Sequence, residues 1–372
     1  MTGEDTIPIA DPDIGPEAYD RVHAILESGH LADGPEVRQF EREFAQYCHV
    51  DHAVATSNGT TALVTALEAL GLEDGDAVVT SSFSFVASAN AIRLAGGTPV
   101  FADIDPETYA MDPDHVERIL RERSDVVGLM PVHLYGLPAA MDRLGELADD
   151  HDLFVLEDAC QAHGAALDGQ PVGSLGDAAC FSFYPTKNMT TGEGGMLTTP
   201  HEEVAEAAMS YVNHGRDVSG DRGYEHVSLG SNHRMTSLAA AIGRTQLERL
   251  PAFTAARQQN AATYDDGLAS LAVETPTVPD GAEHVYHQYT IATDDRDALA
   301  TWLEERDIGS AVYYPTPIHR QPVYDCVSTA AVSLPVSERA AERVLSLPVH
   351  PNVTREDCRR VIDAITAFEE SL

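Results

Sequence analysis

Short apolar runs alternate with helical patterns over roughly residues 50–200, and this alternation constrains the fold more than any other feature of the sequence. The runs are rich in Val, Leu or Phe and read as strands: AVATS, DAVVT, TPVFADI, VVGLMPV and LFVLED. The segments between them, such as TTALVTALEALGL and MDRLGELADDHD, carry apolar residues at helical spacing. This pattern predicts an α/β fold with a mostly parallel sheet covered by helices on both faces. Ligands of such sheets bind at the carboxyl ends of the strands.

A long helical pattern follows Met235 and leads into a different arrangement of elements. Pro251 lies inside this pattern, and we expect it to kink or split the helix. Beyond about residue 250 the chain reads as a shorter segment that includes HVYHQYTIAT and CRRVIDAITAFEESL. We therefore predict a large domain of residues 1–250, including the N-terminal segment, and a smaller C-terminal α/β domain of residues 251–372.

The formal net charge is −37, from 60 acidic and 23 basic residues. A surface this negative repels nucleic acid and anionic lipid, so we expect neither as a partner. Repulsion on this scale loosens a compact fold unless salt screens it, which indicates a halophilic source with a salty cytoplasm. No apolar run has membrane-spanning length and the acidic N-terminus is unlike a secretion signal, so we predict a cytoplasmic protein.

Lysine occurs once, at Lys187 in FSFYPTKNMTTGEGGM, so 22 of the 23 basic residues are arginine. Arginine cannot replace an amine that must lose its proton and form a Schiff base. A single lysine can also remain by chance, but its neighbourhood favours a functional one. The five cysteines are scattered without metal-ligand spacing, and we predict no metal site.

Two strand ends carry polar residues suited to a phosphorylated ring. The segment Ser57–Thr61 joins a strand to a helix, where backbone N–H groups and hydroxyls form a cup for phosphate. Ser and Thr are equally typical of ordinary helix caps. Asp158 is the last residue of the run LFVLED and can pair with a pyridine nitrogen. The same carboxylate could instead cap the next helix.

Two further positions complete the pattern. Ser182, shortly before Lys187, can donate a hydrogen bond to phosphate. An aromatic in the Phe83–Phe85 stretch could stack on a ring, although core packing explains such residues as well. Together these positions offer partners for the phosphate, ring nitrogen, ring face and aldehyde of one cofactor.

Over nearly its whole length the chain resembles the DegT/DnrJ/EryC1/StrS family of nucleotide-sugar aminotransferases, which depend on pyridoxal 5′-phosphate (PLP). The resemblance rests on ordered motifs, among them GPEVRQFEREFAQYCHVDHAVATSNGTTAL, SSFSFVASANAI, EDACQAHGA, FSFYPTKNMTTGEGGM, SNHRMTSLAAAIG and YYPTPIH. It implies a fold-type I transferase, with a mixed but mostly parallel sheet, that forms a homodimer with shared active sites.

The resemblance also implies roles for individual residues. Lys187 would bind PLP as a Schiff base, Asp158 would pair with the ring nitrogen, and Gln161 would lie beside the ring hydroxyl. The remaining cofactor contacts would be the stacking Phe85, the phosphate-side Gly59, Thr60, Thr61 and Ser182, and Asn232, which would reach the neighbouring subunit's cofactor. The substrate side would include Tyr313 and His319. Arg216 and Arg234 are candidates to hold a carboxylate or a diphosphate, or else form surface salt bridges.

The expected activity is transfer of an amino group from L-glutamate, the expected donor, to a nucleotide-linked keto-sugar. A nicotinamide-dependent sugar oxidoreductase would share the fold class, but no G-x-G-x-x-G follows a strand and Tyr184 lies three residues before Lys187, not four. A non-catalytic regulatory or binding protein on the same scaffold is the alternative. Loss of the lysine would indicate that alternative, and here the lysine is retained.

Overall fold

A computed structural model describes residues 6–220, 224–325, 327 and 332–372. Numbered in chain order, its strands are β1 (His52–Thr56), β2 (Ala77–Ser81), β3 (Thr98–Ala102), β4 (Val126–Met130), β5 (Phe154–Asp158), β6 (Ala166–Leu167), β7 (Gln170–Pro171), β8 (Ala178–Ser182), β9 (Gly195–Thr199), β10 (Ala282–Glu283), β11 (Tyr289–Ala292) and β12 (Val344–Leu347).

The α-helices surround these strands. They are α1 (Glu17–Ser28), α2 (Pro35–Tyr47), α3 (Gly59–Ala69), α4 (Ala87–Leu94), α5 (Pro113–Glu122), α6 (Met141–His151), α7 (Glu202–Tyr211), α8 (Ser237–Leu268), α9 (Arg296–Glu304), α10 (Pro335–Arg343) and α11 (Arg355–Glu369). Short 3₁₀ turns lie at Leu134–Gly136, Ile318–Arg320 and Pro322–Tyr324. Within the described ranges, none of the helices is long and apolar enough to cross a membrane.

The main sheet has seven strands in the order β1-β9-β8-β5-β4-β2-β3. Only β9 runs antiparallel to its neighbours, whereas the pairs β8–β5, β5–β4, β4–β2 and β2–β3 are parallel. This sheet confirms the predicted α/β fold class. Because the parallel strands share one direction, the residues that follow β1, β5 and β8 meet at one edge of the sheet.

Both faces of the sheet are buried, as the alternation of side chains along β8 shows. Ala178 and Cys180 belong to an apolar cluster with α3 and α7, whereas Ala179 and Phe181 pack among residues of α2 and α8. A strand covered on both faces has no polar side to present to water, which explains why the strand runs are continuously apolar.

The C-terminal part is built on the antiparallel pair β11–β12, covered by α9, α11 and the second half of α8. Ile7 belongs to the same apolar cluster and pairs with Ile308 as an isolated bridge. Helix α8 passes residue 250 without a break and contains Pro251, so the expected splitting of this helix does not occur. The helix thus belongs to both parts of the chain, and the division at residue 250 stays a prediction.

Candidate active site

The start of α3 forms an open cup. The Asn58 side chain caps the helix by accepting from the Thr61 N–H at 2.9 Å, and the Thr61 hydroxyl in turn accepts from the Asn58 N–H at 3.1 Å. Among the described residues we find no hydrogen-bond partner for the N–H groups of Gly59 and Thr60. A Cβ on Gly59 would lie 2.7 Å from the Ser182 Cβ, so only glycine allows this close approach. The free N–H groups and the helix dipole suit an anion.

Strand β5 ends in two acidic residues that serve different purposes, since side chains alternate along a strand. Glu157 is fully buried. It accepts N–H groups of the turn at residues 173–176 at 2.8–3.0 Å and contacts His133 Nε2 at 3.0 Å. Asp158 instead lines the cavity described below. The first carboxylate fixes the strand end, and the second is available for a ligand.

Asp158 is held by two donors. The Ser88 hydroxyl donates to Asp158 Oδ2 at 2.6 Å, and the Cys160 N–H donates to Oδ1 at 3.2 Å. Both Ser88 and Asp158 are buried. The sequence analysis did not identify Ser88, although it lies within the motif SSFSFVASANAI.

Lys187 lies in the turn that follows β8, where its N–H donates to the Tyr184 carbonyl at 2.9 Å. Its side chain keeps partial solvent contact through the cavity. Burial by the surrounding protein lowers the pKa of this amine below its ordinary value, while the negative charge of Asp158 opposes the shift. The amine is therefore easier to deprotonate than a surface lysine.

Gln161 is buried between the two parts of the chain. Its Oε1 accepts from the Tyr135 N–H at 2.9 Å, and its Nε2 donates to the Tyr314 hydroxyl at 3.4 Å. Burial raises the pKa of Tyr314 above the ordinary range of a phenol, so the hydroxyl keeps its proton. The Tyr314 ring lies 6.1 Å from that of Phe85, whose side chain is 54% exposed to the cavity and to solvent.

These residues line one cavity of about 740 Å³. The predicted site residues that line it are Gly59, Thr60, Thr61, Phe85, Asp158, Gln161, Ser182, Lys187 and Tyr313. Along the chain they are far apart, and the sheet edge brings them together. His287 and Gln288, which the sequence analysis did not identify, line the same cavity from the C-terminal part. Burial, followed by the nearby Lys187 charge, lowers the pKa of His287 well below its usual value, so this ring is neutral.

Four predicted residues lie outside this cavity in the single protomer. Arg234 donates to Asn213 Oδ1, and Asn232 is exposed and forms a backbone bridge with Asn213. Arg216 stacks over the Tyr224 ring, with its guanidinium carbon 4.5 Å from the ring centroid.

His319 is buried and pairs with Glu338 at 3.1 Å. Within the protomer its side chain contacts Glu338 of α10 and does not line the cavity. Its role at the substrate side stays a prediction, as do the ligand roles of the other three residues.

The cavity fits PLP group by group. The free N–H groups at the start of α3 suit the phosphate, Asp158 is an acceptor for a protonated ring nitrogen, and Lys187 offers an amine of lowered pKa to the aldehyde. Phe85 offers an aromatic face beside them. The crowding that a Cβ at Gly59 would cause indicates that the phosphate end is closely packed.

Known proteins share this architecture. The model of the DegT/DnrJ/EryC1/StrS aminotransferase family matches residues 12–366. The UDP-N-acetyl-3-dehydro-alpha-D-glucosamine 3-aminotransferase of Acidithiobacillus ferrooxidans is 38% identical over 98% of both chains. A pleiotropic regulatory protein of Geobacillus stearothermophilus is 40% identical over 95% of this chain and 94% of its own. The PLP form of a sugar aminotransferase structure from Streptococcus pneumoniae superposes with a TM-score of 0.92 at 26% identity, covering 98% of this chain and 99% of the other.

The chain therefore belongs to the DegT/DnrJ/EryC1/StrS aminotransferase family and is an enzyme of the aminotransferase class. The resemblance seen in the sequence is confirmed. Its relatives include an enzyme named for a nucleotide-linked sugar, and PLP is the cofactor of the family.

Proposed function

We propose that this protein transfers an amino group from L-glutamate to a nucleotide-linked keto-sugar, with PLP as its cofactor. The observation that carries the proposal is the position of Lys187. The only lysine of the chain lines the same cavity as Asp158 and the start of α3. A chain that uses arginine at every other basic position has kept an amine where an aldehyde would meet it.

The residues of the cavity would divide the work of holding PLP. Gly59, Thr60 and Ser182 would hold the phosphate, Asp158 the ring nitrogen, and Phe85 the ring face. Thr61 contributes indirectly, because its hydroxyl is engaged in the cap of α3. Gln161 would lie near the ring hydroxyl. When bound, PLP supplies an aldehyde for covalent attachment and a ring that accepts electrons.

Lys187 would then act as the base that moves a proton at the substrate carbon. A general base must be neutral for part of the time, and burial moves the pKa of Lys187 in that direction. The neighbouring His287 is neutral and buried, so it adds no positive charge beside the amine of Lys187.

The acidic character of the cavity supports a homodimer with shared sites. Among the described residues that line it, Asp158, Glu193 and Lys187 are charged and none is an arginine. Both L-glutamate and a nucleotide-linked sugar carry negative charges that need cations. The loop with Arg216 also exposes apolar side chains, including Leu229 at 90% and Tyr224 at 77%. A second copy could cover these side chains and bring its Asn232, Arg216 or Arg234 to the cavity.

A regulatory protein on this scaffold is the second candidate. It is supported by the name of the relative from Geobacillus stearothermophilus, a pleiotropic regulatory protein. Such a protein would not need an amine in the cavity. The retained Lys187, its lowered pKa and the open phosphate cup favour catalysis. We place the reaction in the cytoplasm of a halophilic cell, in the synthesis of an amino sugar.

An absorbance spectrum in high salt tests the proposal. We expect a visible band from bound PLP that bleaches on addition of L-glutamate, and amination when nucleotide keto-sugars are screened. Lys187→Ala should remove the band and the turnover. Asp158→Ala should fold but lose several orders of magnitude in rate. A wild-type protein that acquires no band after incubation with PLP would refute the proposal in favour of the regulator.

A further inference from the structure

Ser88 stands in the first turn of α4, three residues after Phe85. Its hydroxyl lies 2.6 Å from Asp158 Oδ2, 3.3 Å from the Phe85 carbonyl and 3.5 Å from the Ser84 hydroxyl. A serine hydroxyl has one hydrogen and can donate fully to one partner. The carboxylate is both the nearest and the only charged acceptor of the three, so the hydrogen points to Asp158.

This hydrogen bond leaves the carboxylate little freedom to rotate. Ser88 holds Oδ2 while the Cys160 N–H holds Oδ1, and the two donors come from different elements. The Asp158 side chain is 4% exposed and Ser88 is 1% exposed, so water does not compete strongly for either oxygen. Together the two donors set the direction in which the remaining lone pairs of the carboxylate point, and Ser88 is the one of the two that acts through a side chain.

The same hydrogen bond joins two parts of the cavity. Ser88 fixes the start of α4, and the Ser88 N–H donates to the Phe85 carbonyl at 3.3 Å. The loop that presents the Phe85 ring is thereby tied to the end of β5. The position of the aromatic face and the position of the carboxylate are therefore coupled through Ser88.

We propose that Ser88 is a positioning residue: its hydroxyl aims the Asp158 carboxylate at the cofactor ring nitrogen and keeps Phe85 in register with it. The inference rests on the proposed function, because it assigns Asp158 to the ring nitrogen. It adds a residue that acts through Asp158 and leaves the phosphate cup unchanged. Removing the hydroxyl should weaken cofactor binding and turnover together, with a smaller effect on KM.

The test compares Ser88→Ala with Ser82→Ala. Ser82 lies in the loop that leads from β2 to α4, is fully buried, and donates to the Ser337 hydroxyl at 2.7 Å. Both changes remove one buried hydroxyl, but only one of them touches Asp158. We would measure the thermal midpoint of each apoprotein, its dissociation constant for PLP, and kcat and KM with L-glutamate as donor.

We expect similar losses of thermal stability in both variants. Ser88→Ala should lower kcat and the affinity for PLP each by about tenfold or more, as for loss of a hydrogen bond to a charged group. Ser82→Ala should keep both constants near the wild-type values. Ser88→Thr restores a hydroxyl and should recover most of the loss. If Ser88→Ala does not yield folded protein, Ser88→Cys gives the same comparison, since a thiol is only a weak donor.

A double-mutant cycle completes the test. In the Asp158→Ala background, adding Ser88→Ala should change the affinity for PLP little, because the hydroxyl has lost its partner. The role of Ser88 would be overturned if Ser88→Ala and Ser82→Ala had the same kcat and the same affinity for PLP. It would also be overturned if Ser88→Ala lowered the affinity for PLP as much in the Asp158→Ala variant as it does in the wild type. A wild-type protein without PLP binding would instead overturn the proposed function itself, so the two failures are distinguishable.

Discussion

Replacing Gly59 by alanine probes the packing on which the phosphate cup depends. The new Cβ would lie 2.7 Å from the Ser182 Cβ and 3.0 Å from the Cys160 Sγ. Overpacking of this kind costs about 1–3 kcal/mol. Alanine favours a helix over glycine by about 0.5–1 kcal/mol, and less at a first residue such as this one. We therefore expect Gly59→Ala to lower the free energy of unfolding by about 0–3 kcal/mol.

Gly145 provides the matched control. It lies inside α6, and a Cβ there would meet no atom within 4 Å. Gly145→Ala should therefore raise the free energy of unfolding by about 0.5–1 kcal/mol. The difference between the two variants comes mainly from the cost of the clash, about 1–3 kcal/mol. Urea unfolding of the two apoproteins in high salt measures it.

The affinity for PLP shows whether the packing at Gly59 also matters for cofactor binding. Ser182 must shift to accommodate the new methyl group, so Gly59→Ala should bind PLP more weakly, whereas Gly145→Ala should bind as the wild type does. Equal stabilisation by both substitutions, with unchanged affinity for PLP, would show that the start of α3 does not approach Ser182 as closely as described.

Two further predictions concern pH and salt. Burial raises the pKa of the Glu41 carboxyl to about 7, above its ordinary 4.5, so the stability it contributes at low pH is lost as the pH rises toward 7. As the pH rises from about 5 to about 8, the free energy of unfolding of Glu41→Gln should increase by about 2–3 kcal/mol relative to that of the wild type. A difference between the two proteins that does not change with pH would contradict this expectation. Because the net charge is −37, raising KCl from about 0.1 M to about 1 M should raise the thermal midpoint as the Debye length falls. A constant or falling midpoint would argue against self-repulsion.

The main sheet could be predicted from the sequence because strands that are buried on both faces are continuously apolar. Each predicted run from AVATS to LFVLED overlaps one of the strands β1 to β5, with bounds that differ by one or two residues. Helix α8 was less predictable. Its continuity past Pro251 depends on packing against α1, α2 and α11, which local propensity does not report. Tertiary contacts can hold a helix together at a residue that would interrupt it in isolation.

The residues of the site likewise include some that could be predicted from the sequence and some that could not. Asp158 and Ser182 end strands and Lys187 follows one, and chemistry at the carboxyl ends of parallel strands is a general expectation. His287 and Gln288 come from the C-terminal part and reach the cavity only after the two parts pack together. No pattern in the neighbouring sequence predicts that these residues reach the cavity, because their position depends on residues far away in the chain.

The fold class, the family and the chemical identity of the central amine could all be predicted from the order of the residues alone, since a single lysine needs no coordinates to be noticed. Three features depend on the folded chain: Asp158, not Glu157, faces the cavity, Ser88 holds Asp158 at 2.6 Å, and burial lowers the pKa of Lys187. Periodicity and composition are properties of neighbouring residues and survive in the bare sequence. Distances, dielectric surroundings and side-chain direction arise only when distant segments meet.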